Sequence, residues 1–434
     1  MDRRAMSRPS RAGRTPSSRG WHRRARGAKA SPVAHVVIAG AGPAGASLAY
    51  LLARRGLGVT LLERQTDFAR EFRGEGLMPS GVEALGAMGL GAALDALPQT
   101  RIEAVELFRG ARRLGRVTPR QLGAPGPRIV SQPALLEMLV GEAGRFPGFR
   151  LERGVTVRDL VRERERVLGV RIDTPTGSRE ERGDLVIGTD GRASVLRARA
   201  GLRARRAEQA FDVVWCKVPQ PGFLDQTTAR AYLGHRHFAL LFPSYDGRLQ
   251  IGWIIDKGSF GDLRRLGIEG WIEEMARHVS PDLAAHLRAE GRAITHPFLL
   301  DVVCDRLARW SLPGLLLLGD AAHPMSPVGA QGINIALRDA LVAANHLGPA
   351  LAGGAEPAVL DAAAARVAAE REPEVAEIQR LQQGPPQLLF GPAWRSNLLL
   401  VLLPLLARTG IVTRVAGSVF RRFANGVTTV RLAA

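Results

Sequence analysis

An α/β fold is predicted, built on a doubly wound parallel sheet with an antiparallel-sheet region and a helical C-terminal end. Three observations predict it. A strand–turn–helix carries the glycine spacing Gly40-Ala41-Gly42-Pro43-Ala44-Gly45. A second buried strand breaks at Gly319-Asp320 and runs, through "LLLLGDAAHPMSPVGAQGINIA", into another helix. Between them, from Phe211 to Ile255, lie strand-like runs of the kind that antiparallel sheets make.

The elements follow in chain order. The first thirty residues hold ten Lys or Arg against one Asp and almost no apolar side chain, so a basic, disordered tail is expected. It lacks the apolar core of a secretory signal. "VAHVVIAG" then reads as a strand, "AGPAGASLAYLLARRG" as a turn and a helix that stops at Gly56, and "LGVTLLER" as a second strand ending at Glu63. "SQPALLEMLVGEAGR" has helical spacing at Leu135, Leu136, Leu139 and Val140. "GVTVRDLVRERERVLGVRIDT" reads as two antiparallel strands, and "DLVIGTDGRASVLR" as a buried strand opening a helix. A helical stretch is expected around Ile268 to Ala289, and mostly helix from about Glu356. The expected organisation is a tail (1–30), a discontinuous nucleotide-binding domain (31–105, 125–205 and 300–350), a substrate domain (106–124 and 206–299) and a helical C-terminal region (351–434).

The two glycine turns carry the chemistry. Gly40 permits a tight turn, Gly42 lets a diphosphate approach the backbone, and Gly45 lets the helix pack against the sheet, with the helix N-terminus facing the phosphate charge. Glu63, eighteen residues beyond Gly45, ends the next strand, where a carboxylate accepts from ribose hydroxyls and repels a 2′-phosphate. FAD or NAD therefore fits this site, and NADP does not. The second turn decides between the two. A buried strand delivers Asp320 to its carboxyl end, where an acceptor suits a ribityl chain, and the backbone from Gly329 to Asn334 begins a helix whose positive end can face a flavin ring. Two turns gripping opposite parts of one extended molecule fit FAD better than NAD.

With three motifs in order, "GAGPAG…LLER", "DLVIGTDGRASVLR" and "GLLLLGDAAHPMSPVGAQGINIALRDA", the chain resembles the FAD-dependent aromatic hydroxylases, the single-component flavoprotein monooxygenases typified by para-hydroxybenzoate hydroxylase. The resemblance covers Val33 to about Leu347. It implies a Rossmann-like FAD-binding domain of the glutathione-reductase type, NAD(P)H as reductant, and O2 as the source of an oxygen atom delivered to substrate. It also implies that Asp190 and Gly191 serve FAD and NAD(P)H, that Arg73 lies near the flavin, and that Gln132 contacts FAD from its helix. The cofactor residues expected are then Gly40, Gly42, Pro43, Ala44, Gly45, Glu63, Arg64, Arg73, Gln132, Asp190, Gly191, Gly319, Asp320, Gly329, Ala330, Gln331, Gly332 and Asn334. Pro327 is expected near the reactive face of the flavin, and His323 as a structural hydrogen-bonder in the turn. The cofactor carries the difficult chemistry, so the lack of an evident catalytic triad is expected.

The substrate is expected under the antiparallel sheet, beside His235, His237, Phe238 and Tyr245, with His296-Pro297-Phe298 bordering the same pocket. Alternation places His235 and His237 on one face, and no third ligand at telling spacing makes them a metal site. The net charge of +19 is mostly arginine, half of it in the tail, and no nucleic-acid-binding motif accompanies it, so nucleic acid is not expected as a partner. Cys216 and Cys304 read as buried fillers, which suits a reducing cytoplasm.

The apolar, then basic, C-terminal run "NLLLVLLPLLARTGIVTRVAGSVFRRFANGV" is interrupted by Pro404 and too short to span a bilayer. It is expected as a helix pair capping the substrate side, or as an interfacial anchor for peripheral membrane contact. An FAD-dependent reductase or dehydrogenase without oxygen insertion, and a membrane-associated flavoprotein, are the alternative functions. Hydroxylation against epoxidation, NADH against NADPH, and oligomeric state stay open at this level.

Overall fold

The structure is a computed structural model that describes residues 33–69, 75–294, 297–395, 397–398, 401–402 and 410–433. The expectations for residues 1–30, Arg73, His296 and most of the "NLLLVLLPLLART" run lie outside the described residues. Val33 to Ala434 form one compact unit.

The first strand, His35–Ala39, is apolar from Val36 onward because it lies at the centre of a six-stranded sheet with both faces covered. Its neighbours are Gly58–Glu63 on one side and Leu185–Gly188 on the other, both parallel to it. Leu315–Leu317 adds beyond Leu185–Gly188, and Phe149–Arg153 beyond Gly58–Glu63. The chain therefore builds the sheet first to one side of the central strand and later to the other, the topology that places a crevice at the carboxyl end of His35–Ala39. The first helix (Pro43–Arg54) and the long motif helix (Gln331–Ala352) pack on each other, and both begin at that end of the sheet. Phe149–Arg153 went unread in the sequence: only Phe149 and Leu151 among its side chains are apolar, and it sits at an edge, so its alternation is too short to stand out and no buried run marks it.

A seven-stranded sheet forms the second layer, in the order Phe298–Leu300, Phe211–Pro219, Arg248–Asp256, His237–Pro243, Thr228–Gly234, Ala104–Arg109 and Arg112–Val117. It is antiparallel except where Thr228–Gly234 runs parallel to Ala104–Arg109. Alternation divides its side chains. Val214, Cys216, Val218, Leu249, Ile251 and Trp253 pack under two helices, Phe260–Ala276 and Pro281–Glu290. Trp215, Leu240 and Phe242 lie on the opposite face, with Ile102, Ile129 and Ala229. The expected single helical stretch is thus two helices, separated where Ser280 and Pro281 restart the chain, and the first is kinked at Gly267 (φ +68°).

The long C-terminal helix Pro357–Phe390 packs on the motif helix, and the last helix, Ile411–Asn425, buries Phe423 and Ala424. Among the described residues no helix is long and apolar enough to cross a membrane.

Candidate active site

The first glycine turn has three glycines with three separate reasons. Gly40 has φ +103°, and a Cβ there would stand 2.5 Å from the Thr189 carbonyl oxygen. A Cβ on Gly45 would meet the Gly40 oxygen at 2.0 Å. Gly42 is different: a Cβ there meets nothing within 4 Å, so this backbone faces open space. Pro43 opens the helix where a missing N–H costs nothing, and no side chain caps Gly42. Ala44 is buried, and the Ala44 methyl would be 3.2 Å from a Cβ on Gly319, so the two turns touch.

Glu63 is 3 % exposed, and its carboxylate accepts from the Ala41 N–H (3.0 Å) and the Gln65 N–H (3.0 Å). It thereby ties the end of its strand to the first turn. Arg64, next in sequence, is exposed.

The middle motif locks the turns together. The Thr189 hydroxyl donates to the carbonyls of Ala39 (3.0 Å) and Gly40 (2.7 Å). Asp190 accepts from the Ser194 hydroxyl (2.5 Å) and the Leu196 N–H (3.1 Å), so its carboxylate is spent on starting the helix Val195–Arg199. Burial raises the pKa of Asp190, and those hydrogen bonds only partly offset the rise. Gly191 has φ +82°. Arg192, which the sequence reading passed over, donates Nε to Asp320 Oδ2 at 3.1 Å and reaches the carbonyls of Asp301 and Met325.

Asp320 stands about a third exposed at the tip of the second turn, after Gly319 (φ +57°). Beyond it, Pro327 is half-buried and its carbonyl accepts from the Ala330 N–H (3.0 Å). Gly329 (φ +76°) and Ala330 (φ +54°) are both left-handed, and no side chain caps the helix that follows. That helix offers free N–H groups and a positive end. A Cβ on Gly332 would also meet nothing within 4 Å, so the backbone here, as at Gly42, is open to a ligand.

The side chains of Gln331 and Asn334 turn elsewhere. Gln331 Nε2 donates to the carbonyls of Gly329 (2.7 Å) and Phe423 (2.9 Å). Asn334 is fully buried: its Oδ1 accepts from the Met78 N–H (2.9 Å) and its Nδ2 donates to Gly76 (3.2 Å) and Ala330. Both are clamps on the loop, so the backbone, not these side chains, is what the loop presents. The Phe423 ring closes it from behind, 2.8 Å from where a Gly329 Cβ would stand. Gln132 begins its helix at Gln132–Ala143, half-buried, with Ser131 as the cap.

The four substrate candidates are not brought to one surface. Phe238 alternates with Ala239 and so shares the face of Leu240 and Phe242. His237 points the other way: it stacks on His278 (4.0 Å between centroids) and accepts at Nδ1 from the Trp253 indole (3.4 Å). His235 is half-buried in the turn between two strands, and Tyr245 lies under the Lys217 ammonium (4.5 Å to the ring). Phe298 pairs with Trp215 at the sheet edge. The sequence reading missed Lys217 itself, a 5 % exposed cation between Glu75 and Asp246, although a lysine is rare in this chain and this one shares the strand face of Trp215.

Uncapped N-termini on two helices of twelve and twenty-two residues and two open glycine backbones supply donors, and a carboxylate at each turn an acceptor, as an extended dinucleotide needs, so the site fits FAD. The comparisons with known proteins agree. The FAD binding domain family matches residues 33–377. The 6-methylpretetramide 4-monooxygenase of Streptomyces rimosus is 33% identical over 92% of this chain and 93% of its own. A 3-amino-4-hydroxybenzoate 2-monooxygenase of Streptomyces platensis is 29% identical over 73% of this chain and 80% of its own. Among solved structures, p-nitrophenol 4-monooxygenase from Pseudomonas putida shares the fold, with a TM-score of 0.76 and 19% identity over 92% of this chain and 99% of its own. The chain belongs to the FAD binding domain family and is an FAD-dependent monooxygenase of the aromatic-hydroxylase kind.

Proposed function

We propose that this enzyme hydroxylates an aromatic substrate, of the class that the relatives' names 6-methylpretetramide and 3-amino-4-hydroxybenzoate represent, at the expense of NAD(P)H and O2. The observation that carries the proposal is the face of the seven-stranded sheet turned away from its two helices, where Trp215, Leu240 and Phe242 cluster with Ile129, whose register partner Gly76 is held by Asn334 of the motif helix. The flat rings of Trp215 and Phe242 suit an aromatic ring.

When bound, FAD supplies hydride acceptance and the activation of O2. The residues of the chain supply position. Gly42 and the N-terminus at Pro43–Gly45 would hold the diphosphate, Glu63 the ribose, Asp320 the ribityl chain, and the Gly329–Asn334 backbone the ring. What supports this is the open backbone at Gly42 and Gly332 and the absence of a capping side chain on either helix. Gln331 and Asn334 would act by holding the loop, and Asp190 by holding Ser194 and the turn that carries Arg192.

Purified protein with FAD, NADH or NADPH and each of the two named compounds tests the reading. A product heavier by one oxygen atom, with O2 consumed in step, is the expected result. NAD(P)H consumed with no oxygen incorporated would favour a reductase instead.

A second reading concerns place. Exposed Trp394, Leu398, Val401 and Val415, with exposed Arg414 and Arg421 on the last helix, favour peripheral contact of the C-terminal region with an anionic membrane from the cytoplasmic side. Co-sedimentation with phosphatidylserine vesicles, lost when the chain ends near Gln387, would support it; no sedimentation of the full chain removes it.

A further inference from the structure

A buried polar cluster adjoins the aromatic face, and its side chains are not among those assigned to FAD. Glu75 is 6 % exposed. Its Oε1 accepts from Lys217 Nζ at 3.4 Å and its Oε2 from the Ser244 hydroxyl at 3.3 Å. Both contacts are long for hydrogen bonds to a carboxylate, whose usual range is about 2.5–2.9 Å. Lys217 gives its short bond, 2.9 Å, to Asp246 instead. Among the described residues, Glu75 is therefore buried with acceptor capacity to spare. Burial pushes its pKa up to about 7, against the pull of Lys217.

Gln250 repeats the pattern one strand over. It is in register with both Lys217 and Phe242, is 2 % exposed, and its Oε1 is buried with no hydrogen-bond partner among the described residues. Two under-satisfied acceptors on one apolar wall are costly unless a ligand brings donors to them. The location fits a ligand. Glu75 immediately precedes Gly76, whose carbonyl is held by Asn334 in the first turn of the motif helix. Trp215 lies two residues before Lys217 in the same strand and packs edge-on against Phe242 (6.2 Å).

We propose that Glu75 is the proton acceptor for an acidic hydroxyl of the substrate, with Gln250 accepting from a second donor group, so that the substrate is a phenol rather than an unsubstituted hydrocarbon. The inference rests on the aromatic-hydroxylase reading. In the step, the substrate O–H bond breaks and an O–H bond forms on a Glu75 oxygen. The electron pair stays on the phenolic oxygen, where it enriches the ring toward an electrophilic oxygen atom. No electron changes hands. Lys217 lies beside the new anion, and Asp246, about a third exposed, links the cluster to solvent.

The test uses the FAD-loaded enzyme and 1,2-dihydroxyanthraquinone, a fused-ring phenol whose ionised form absorbs at longer wavelength than flavin, with its dimethyl ether as the control that has no acidic proton. In the wild type the bound dye should ionise at a pH about one unit or more below that of the free dye. Glu75→Gln should abolish that shift and weaken dye binding at least tenfold, while binding the ether as the wild type does. Flavin retention and NAD(P)H-dependent flavin bleaching are measured on the same samples. Their loss would speak against the cofactor reading, whereas their persistence isolates the role of Glu75. Should Glu75→Gln fail to fold, Ser244→Ala, which removes one hydrogen bond from the same carboxylate, is expected to move the ionisation of the bound dye. An unshifted dye in the wild type, no dye binding, or equal shifts in wild type and variant would overturn the proposal.

Discussion

His323 Nε2 lies 2.7 Å from Asp339 Oδ2, with both side chains almost wholly buried. The histidine comes from the second glycine turn and the aspartate from the helix that the turn opens. The same carboxylate accepts from the Gly319 N–H (3.2 Å) and from Arg371 Nε (2.8 Å). Arg371 in turn pairs with Glu374, which pairs with Arg338, and Arg338 reaches the Thr428 carbonyl. Burial alone would raise the pKa of Asp339, yet His323 and Arg371 hold it below the usual carboxylate range. One buried network therefore fixes the Asp320 turn to the C-terminal segment.

Removing Asp339 leaves the Arg371 guanidinium buried beside a single remaining acid. Breaking such a network from one side costs about 3–5 kcal/mol. Asp339→Ala is expected to lower the melting temperature strongly and to release FAD, and Asp339→Asn to do so less. Thermal melts with and without added FAD measure both. A melting temperature within a degree or two of the wild type would show that the network carries little stability.

The two kinds of glycine in the first turn separate by substitution. Gly45→Ala puts a methyl 2.0 Å from the Gly40 oxygen, so the turn cannot close and the apoprotein itself should be destabilised. Gly42→Ala meets no protein atom, so the apoprotein should melt as the wild type does. Its methyl enters the space proposed for the diphosphate, and FAD affinity should fall at least about tenfold, or 1.4 kcal/mol. Apoprotein melts and an FAD titration read the two effects apart. Unchanged affinity in Gly42→Ala would move the diphosphate elsewhere.

The legible part of the sequence is the part where backbone geometry restricts residue type. Gly40, Gly45 and Gly319 stand where a side chain would collide or φ is positive, and such positions show as motifs. The substrate face was less legible for a different reason. Alternation put His235 and His237 on one face of a strand, but period two does not say which face the helices cover. Trp253, stacked 5.9 Å from Trp271 of the helix Phe260–Ala276, settled that, and His237 went with it. Glu75 was invisible because its partners Lys217 and Ser244 lie 142 and 169 residues away, and nothing local marks a carboxylate as buried.

Arg192 and Asp320 form a pair, 3.1 Å apart, with each side chain about a third exposed, so solvent weakens it and little stability resides there. The pair joins the middle motif to the second turn at the proposed ribityl position. Asp320→Ala is expected to fold, to melt near the wild-type temperature without FAD, and to bind FAD poorly. Arg192→Ala should leave more FAD bound than Asp320→Ala, because Asp320 keeps its acceptors. The flavin-to-protein absorbance ratio after gel filtration compares the two; full flavin in Asp320→Ala rules out its assigned role.

His237 makes stability depend on pH in a window that can be worked out. Burial, helped by the neighbouring His278, pushes its pKa down to about 3 from an ordinary value of 6.5. Trp253 donates to Nδ1, so Nε2 carries the proton of the neutral ring, and it is buried with no partner among the described residues. Between pH 6.5 and about 3 the unfolded chain binds a proton here that the folded chain refuses. The stability that neutral His237 contributes is therefore complete above pH 6.5 and is lost as pH falls through this window, at up to about 1.4 kcal/mol per pH unit. His237→Phe keeps the stack and removes the titration. It should be no more stable than the wild type at pH 8, where the indole N–H has lost its acceptor, yet should lose less stability between pH 7 and pH 5. Urea denaturation at those three pH values reads the slopes, and parallel slopes in the two proteins would mean that His237 does not resist protonation.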